Sequence, residues 1–299
     1  IGRYHGTSGF AMAAWSRDHT LVAGVDGAGR AHLFAPFEGE IHAPRVVFDK
    51  TGKWVAASPF DQSFSLVGIG TPGVQHTSLQ RGEVLIEQDK DYIREQTALK
   101  GVLFSKEGHV IYLDYGVEKV RLQRLGEQVH ERDLMRGGSP HDGDTSNEHT
   151  YVGLLSTKHA ARWDWERDGL ELFYEHDNMV RAISVNERGE VLLATRNTLL
   201  VFDKQLEQIA NLSIGGAAIL DVEWVPEKPV AVLAHLDGEV SVWDLKTGRL
   251  IARGAEHRAR VAKVDISRDG RWMLSAGWDG AIVIWDLAIA FDPEGLALE

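Results

Sequence analysis

Short apolar runs, each closed by a compact polar turn, recur along the chain. A hydrophobic residue followed by such a turn stands at Trp15-Ser16-Arg17-Asp18, Phe48-Asp49-Lys50-Thr51-Gly52, Phe104-Ser105-Lys106-Glu107-Gly108, Val185-Asn186-Glu187-Arg188-Gly189 and Ile266-Ser267-Arg268-Asp269-Gly270. Gly108, Gly189 and Gly270 are evenly spaced at about twice a 40-residue period, with Glu227-Lys228 near the midpoint of the last interval and a further turn expected near Glu148. The runs between turns alternate, as in Trp272-Met273-Leu274-Ser275-Ala276, or are short and β-branched, as in Ala281-Ile282-Val283-Ile284-Trp285, and both patterns predict strands. Only Ile93 to Leu99 and Leu287 to Leu298 have room for a turn or two of helix. The expected class is all-β.

A period of about 40 residues holding four strands specifies a propeller blade rather than a layer of a sandwich. Counting turns predicts a seven-bladed β-propeller of four-stranded antiparallel blades around a central channel, one domain over residues 1–299. The blades are expected at residues 8–40, 41–91, 92–131, 132–174, 175–213, 214–254 and 255–291. The last lacks an evident fourth strand, which must come from Ile1–His5 or from the segment after Asp286. The polar stretch Arg136 to Asp144 reads as an inserted loop in blade four, and blade two carries extra residues between Gly70 and Asp91.

Two repeats end in Val242-Trp243-Asp244-Leu245 and Ile284-Trp285-Asp286-Leu287, and Phe202-Asp203 is a weaker copy. These tryptophan-aspartate pairs resemble the signature of the WD-repeat family, and the final blade is similar to a complete family repeat. The resemblance implies a hydrogen-bonded set of His257, Ser275, Asp279 and Trp285, in which Asp279 accepts from His257 and turn amides, Ser275 bridges and the indole donates. Blade six keeps Asp237 and Trp243 but has Leu233 in place of the serine and no matching histidine, so its set reads as incomplete. The resemblance also implies a non-catalytic protein-protein interaction scaffold, binding a peptide or domain through loops on one face of the ring.

Composition narrows the partner. The formal charge of −12 repels phosphate backbones, so nucleic acid is not an expected ligand. No apolar run is long enough to span a bilayer. The chain has no cysteine, which removes disulfides, thiolate metal sites and cysteine nucleophiles and suits the cytoplasm as its location. Its ends read as those of a fragment of a longer regulatory or signalling protein.

The candidate partner-binding residues are Trp278, Arg260, Arg258, Arg181, Lys100 and Arg45. Trp278 precedes the turn residue Asp279, a position that in this family faces the rim of the upper surface, where a tryptophan suits a binding anchor. The cations, aligned to the first strand of blade seven, should approach the channel mouth and would favour an acidic or phosphorylated segment. Other constellations carry less. His257, Ser275 and Asp279 have the residue types of a hydrolytic triad, but no nucleophile elbow accompanies them. Gly68-Ile69-Gly70-Thr71-Pro72-Gly73 matches a dinucleotide fingerprint without the helix it needs, so it reads as a β-turn. His141, Asp142, Asp144, Glu148 and His149 offer metal-ligating atoms at a spacing that fits no calcium loop, so neither metal nor cofactor is expected. Trp163 and Trp165 read as core packing. The rival readings are an enzyme with a metal or catalytic carboxylates in the channel, which the apolar look of the inner strands disfavours, and a structural spacer between neighbouring domains.

Overall fold

The computed structural model describes residues 2–6, 8–16, 20–27, 31–37, 40–42, 53–57, 64–70, 73–80, 83–85, 99–104, 110–114, 119–123, 130–132, 140–146, 150–176 and 180–291. Among them, seven four-stranded antiparallel sheets form the blades of a propeller. The first strands of blades one to seven are Phe10–Trp15, Lys53–Ala57, Leu99–Phe104, Pro140–Thr145, Ala182–Val185, Ile219–Trp224 and Val261–Ile266. Each packs against the first strand of the next blade, and Val261–Ile266 packs back on Phe10–Trp15. These seven strands are therefore the inner wall of a closed ring.

Closure uses the N-terminus. Gly2–His5 pairs antiparallel with Ala281–Asp286 as the outermost strand of blade seven, Tyr4 lying opposite Ile282. The segment after Asp286 is instead a short helix, Leu287–Phe291. Residues 93–98 lie outside the described residues.

The core is a set of seams between blades. Leu274, Ile282 and Ile284 of blade seven pack with Phe10, Val22 and Phe34 of blade one, and Leu155 packs with Ile183 and Leu193 between blades four and five. Leu192 and Leu199 meet Val222 and Leu233 between blades five and six. Because blades five and six are covered on both faces, their middle strands Val191–Ala194 and Val230–His235 are buried along their whole length. That explains their continuous apolar runs, while the outermost strands Gln208–Ser213 and Arg249–Gly254 are largely exposed. Each fully buried Leu, Ile or Val contributes about 1.5–3 kcal/mol.

The turn glycines have a conformational reason. Gly189 (φ 77°) and Gly270 (φ 68°) are left-handed and donate to the carbonyls of Asn186 and Ser267 at 2.9 and 2.8 Å. In blade six Lys228 donates to Val225 at 3.2 Å, and Glu227 takes the left-handed conformation, φ 59°.

Blade four requires a correction. Pro140–Thr145, which overlaps the stretch that reads as an inserted loop, is the inner strand of the blade and pairs with Tyr151–Ser156. The Asp142 and Asp144 carboxylates accept the backbone N–H groups of Ile183 and Val185 in blade five, at 3.1 and 2.9 Å. The strand is polar because it supplies acceptors to its neighbour. Trp163 lies buried on the third strand, His159–Asp164, and Trp165 packs on it with ring centroids 4.5 Å apart. In blade two, Gly68 and Gly70 lie on the strand Phe64–Gly70, which pairs antiparallel with Gly73–Gln80, Gly70 opposite Gly73.

Candidate functional site

One face of the ring, called the upper face below, carries the turns between second and third strands and the entries to the inner strands. In blade seven a buried polar set anchors that turn. His257 Nδ1 lies 3.0 Å from Asp279 Oδ1, and its Nε2 lies 2.7 Å from Ser275 Oγ, which also accepts the Trp285 indole N–H at 2.8 Å. The donors fix the tautomer. With its proton on Nδ1, the ring donates to the carboxylate and accepts from the serine hydroxyl. Asp279 also accepts the amides of Arg258 and Ala281 at 2.9 and 3.1 Å and the Arg3 guanidinium at 3.2 Å. Burial works against its charge, but the His257 ring and these amides outweigh it and hold the carboxyl below the usual aspartate range. Ser275 is fully buried, so a substrate has no approach to the hydroxyl that a triad reading would make the nucleophile.

Neighbouring blades solve the same problem with other residues. In blade six, His235 Nε2 lies 2.6 Å from Ser241 Oγ, which accepts the Trp243 indole at 2.9 Å. The serine sits on the third strand rather than the second, and the histidine closes the second strand. Blade six therefore has a buried histidine-serine-tryptophan set drawn from other positions than the aligned ones, and it lacks the aspartate member of blade seven. Asp237 is exposed and accepts the Glu239 amide at 3.2 Å. In blade one, buried His32 and Asp26 pair at 3.1 Å.

Trp278 lies on the upper face and is 54% exposed. The Arg260 guanidinium stands 3.1 Å from the centroid of its ring, a cation–π contact, and Trp278 donates its backbone N–H to the Arg260 carbonyl at 3.0 Å. Its backbone presses on blade one, where a Cβ on Gly9 would lie 2.7 Å from the Trp278 carbonyl oxygen. Arg258 and Arg181 are exposed at the entries to the inner strands of blades seven and five. Lys100 is the second residue of the inner strand of blade three. Arg45 lies outside the described residues. The structure brings Trp278, Arg260 and Arg258 together in one blade and puts Arg181 two blades away.

Sequence reasoning missed the polar lining of the inner ring. Asp142 and Asp144 of blade four, Asp221 and Glu223 of blade six and Asp265 of blade seven gather around Lys263. Asp221 accepts the Lys263 ammonium at 3.0 Å and the Val264 amide at 2.8 Å, Asp265 accepts the Trp15 amide at 2.8 Å, and Glu223 accepts the Ser184 hydroxyl at 2.7 Å. Ser184 in turn accepts the Trp224 amide at 3.2 Å. Along four consecutive seams, then, an inner-strand side chain takes a backbone N–H of the next blade. Burial is the main cause that pushes Asp142 and Asp265 up to about 7 and Asp144 to about 6, with Lys263 partly opposing it. Asp221 is raised and Glu223 well raised for the same first reason. Burial alone would lower Lys263, but the surrounding carboxylates outweigh it and hold the ammonium well above its usual range. The inner strands are thus not simply apolar, yet their carboxylates are engaged as acceptors. No group of three or more His, Cys, Asp or Glu among the described residues is placed to share a metal ion. No helix among them is long and apolar enough to cross a membrane.

Comparison with known proteins adds the following. The family described as WD domain, G-beta repeat matches residues 248–286, which hold most of blade seven. The chain is 36% identical over 70 residues to Denticleless protein homolog B of Xenopus laevis, 23% of this chain and 10% of the relative. It is 29% identical over 147 residues to nuclear distribution protein PAC1 of Arthroderma otae, 44% and 32% of the two chains. It is 25% identical over 140 residues to eukaryotic translation initiation factor 3 subunit I of Drosophila grimshawi, 46% and 41%. Each alignment spans less than half of the relative's length.

Proposed function

We propose that the chain is a WD-repeat β-propeller acting as a non-catalytic scaffold that docks a peptide or domain of another protein on its upper face. The observation that carries this reading is Trp278: a large ring, half exposed, with the Arg260 guanidinium over its face and its backbone packed against Gly9 of blade one. A preordered aromatic costs little entropy to bury, the property that makes tryptophan an interface anchor. The arginines around it favour an acidic or phosphorylated segment, although the chain as a whole is acidic. In this reading residues 1–299 act as one module of a longer cytoplasmic protein, and the channel carboxylates serve the ring rather than a reaction.

The test is affinity capture from native lysate with the wild-type ring and a Trp278→Ala, Arg260→Glu variant of equal thermal stability. A protein retained by the wild type and lost with the variant supports scaffold and site together. A partner retained equally by both removes the site, and capture of nothing by either favours the spacer reading.

A further inference from the structure

Leu236 stands on blade six where Trp278 stands on blade seven. Both precede the Asp-Gly of the turn, and each donates its backbone N–H to the residue just before the inner strand, Leu236 to Ala218 at 2.9 Å and Trp278 to Arg260 at 3.0 Å. Leu236 is 47% exposed. On blade one the same bond runs from Gly27 to Gly9 at 2.7 Å, so that position presents no side chain. On blade five the corresponding turn carries Arg196, exposed, whose carbonyl accepts the Ile219 amide of blade six at 2.8 Å. Two exposed apolar residues therefore sit on adjacent blades, with a glycine at the matching position beyond one and an arginine beyond the other.

Some of the charges on this face are matched and some are not. Arg3 pairs with Asp279. Arg181, Arg196 and Arg258 are exposed and make no ion pair among the described residues. Of the exposed acids in the nearby turns, Glu256 is taken by Arg3 at 3.8 Å, and Asp237 stands beside Leu236.

Resting on the docking reading above, we infer that the partner is an extended acidic peptide bearing one apolar side chain. That side chain packs on Leu236 and Trp278, and carboxylates on either side of it meet Arg181 and Arg196 on blade five and Arg258 on blade seven. The arginines flank blade six instead of converging on one point. Carboxylates spread along a peptide match that layout, whereas a single phosphate needs donors gathered around it.

The test is fluorescence anisotropy of the whole chain with labelled 15-residue peptides, a length of about 50 Å when extended. One peptide is rich in glutamate around a central leucine; the others replace the leucine with glycine, every glutamate with glutamine, or the glutamates with glutamine plus one phosphoserine. The leucine-glutamate peptide is expected to bind tightest, to weaken with added salt, and to lose at least about tenfold in affinity in the glycine and glutamine forms. Leu236→Ser and the double variant Arg181→Glu, Arg196→Glu should each lose a similar factor, whereas Arg249→Glu on the outermost strand of blade six should leave binding unchanged. Equal binding of the glutamine form, tighter binding of the phosphoserine form, or indifference to both variants overturns the inference. If acidic peptides fail while a captured protein still depends on Trp278, the inference falls and the docking face stands; if nothing depends on Trp278, both fall.

Discussion

The Oγ of Ser275 accepts the indole N–H of Trp285 at 2.8 Å while lying 2.7 Å from His257 Nε2, so one buried hydroxyl joins the second and third strands of blade seven to the turn at Asp279. Ser275→Ala removes the shared partner and leaves two buried ring nitrogens unsatisfied. The expected cost is about 1–3 kcal/mol. Urea denaturation of wild type and variant measures it, and an unchanged midpoint would show that water replaces the hydroxyl.

Blade seven is also where the ring closes, and a second prediction concerns that seam. Asp265 Oδ2 accepts the Trp15 amide of blade one at 2.8 Å. Asp265→Ala leaves that N–H without its partner and should also cost about 1–3 kcal/mol. Asp265→Asn keeps an acceptor oxygen and should recover much of the loss. Hydrogen exchange at the Trp15 amide separates the two variants: it should speed up in the alanine form and stay close to wild type in the asparagine form.

The period of the turns and the Trp-Asp pairs made the propeller legible, and blades five and seven repeat the same turn for the same steric reason, at Gly189 and Gly270. The inner strand of blade four was not legible. Proline, glycine and aspartate are poor strand formers by composition, and the acceptor role of Asp142 and Asp144 depends on blade five lying beside them. The blade-six set escaped alignment for a similar reason, since Ser241 reaches the histidine from a different strand than Ser275 does. Leu236, by contrast, is marked by the same Asp-Gly turn that marks Trp278. Its exposure could not be read from a single leucine just past the end of an apolar run.

Stability should rise as pH falls from about 8 to about 5. Asp142 and Asp265, at about 7 in the folded protein, and Asp144, at about 6, sit above the unfolded value of 3.8. The folded state therefore binds their protons more tightly. That contribution is complete below the unfolded value and is lost as pH rises through about 6 to 7. His235 acts in the opposite sense: burial lowers it below 6.5, so its contribution is lost as pH falls, but it is one group against several. The depressed Asp279 matters only below 3.8. Thermal melts across this range should show Tm climbing toward acid, and the double variant Asp142→Asn, Asp265→Asn should flatten the slope. A Tm that falls steadily below pH 7 in the wild type would mean that the inner-ring carboxylates stay ionised.

Glu227 offers a gain in stability instead of a loss. It holds a left-handed backbone at φ 59° in the blade-six turn, where a side chain with a Cβ is strained by about 1–2 kcal/mol. Its side chain contributes little in return: it is 85% exposed, and its ion pair with Arg188 is 3.7 Å long. Glycine removes the steric strain but adds freedom to the unfolded chain, an opposing cost of roughly 0.5–1 kcal/mol. The difference favours Glu227→Gly by up to about 1 kcal/mol. Glu227→Asn should give a similar but smaller gain, because asparagine tolerates this region without the full entropy cost of glycine. Glu227→Ala keeps the Cβ and loses only the weak ion pair, so it should leave the urea midpoint nearly unchanged. If alanine stabilises as much as glycine does, the side-chain charge rather than the backbone is the source of the strain.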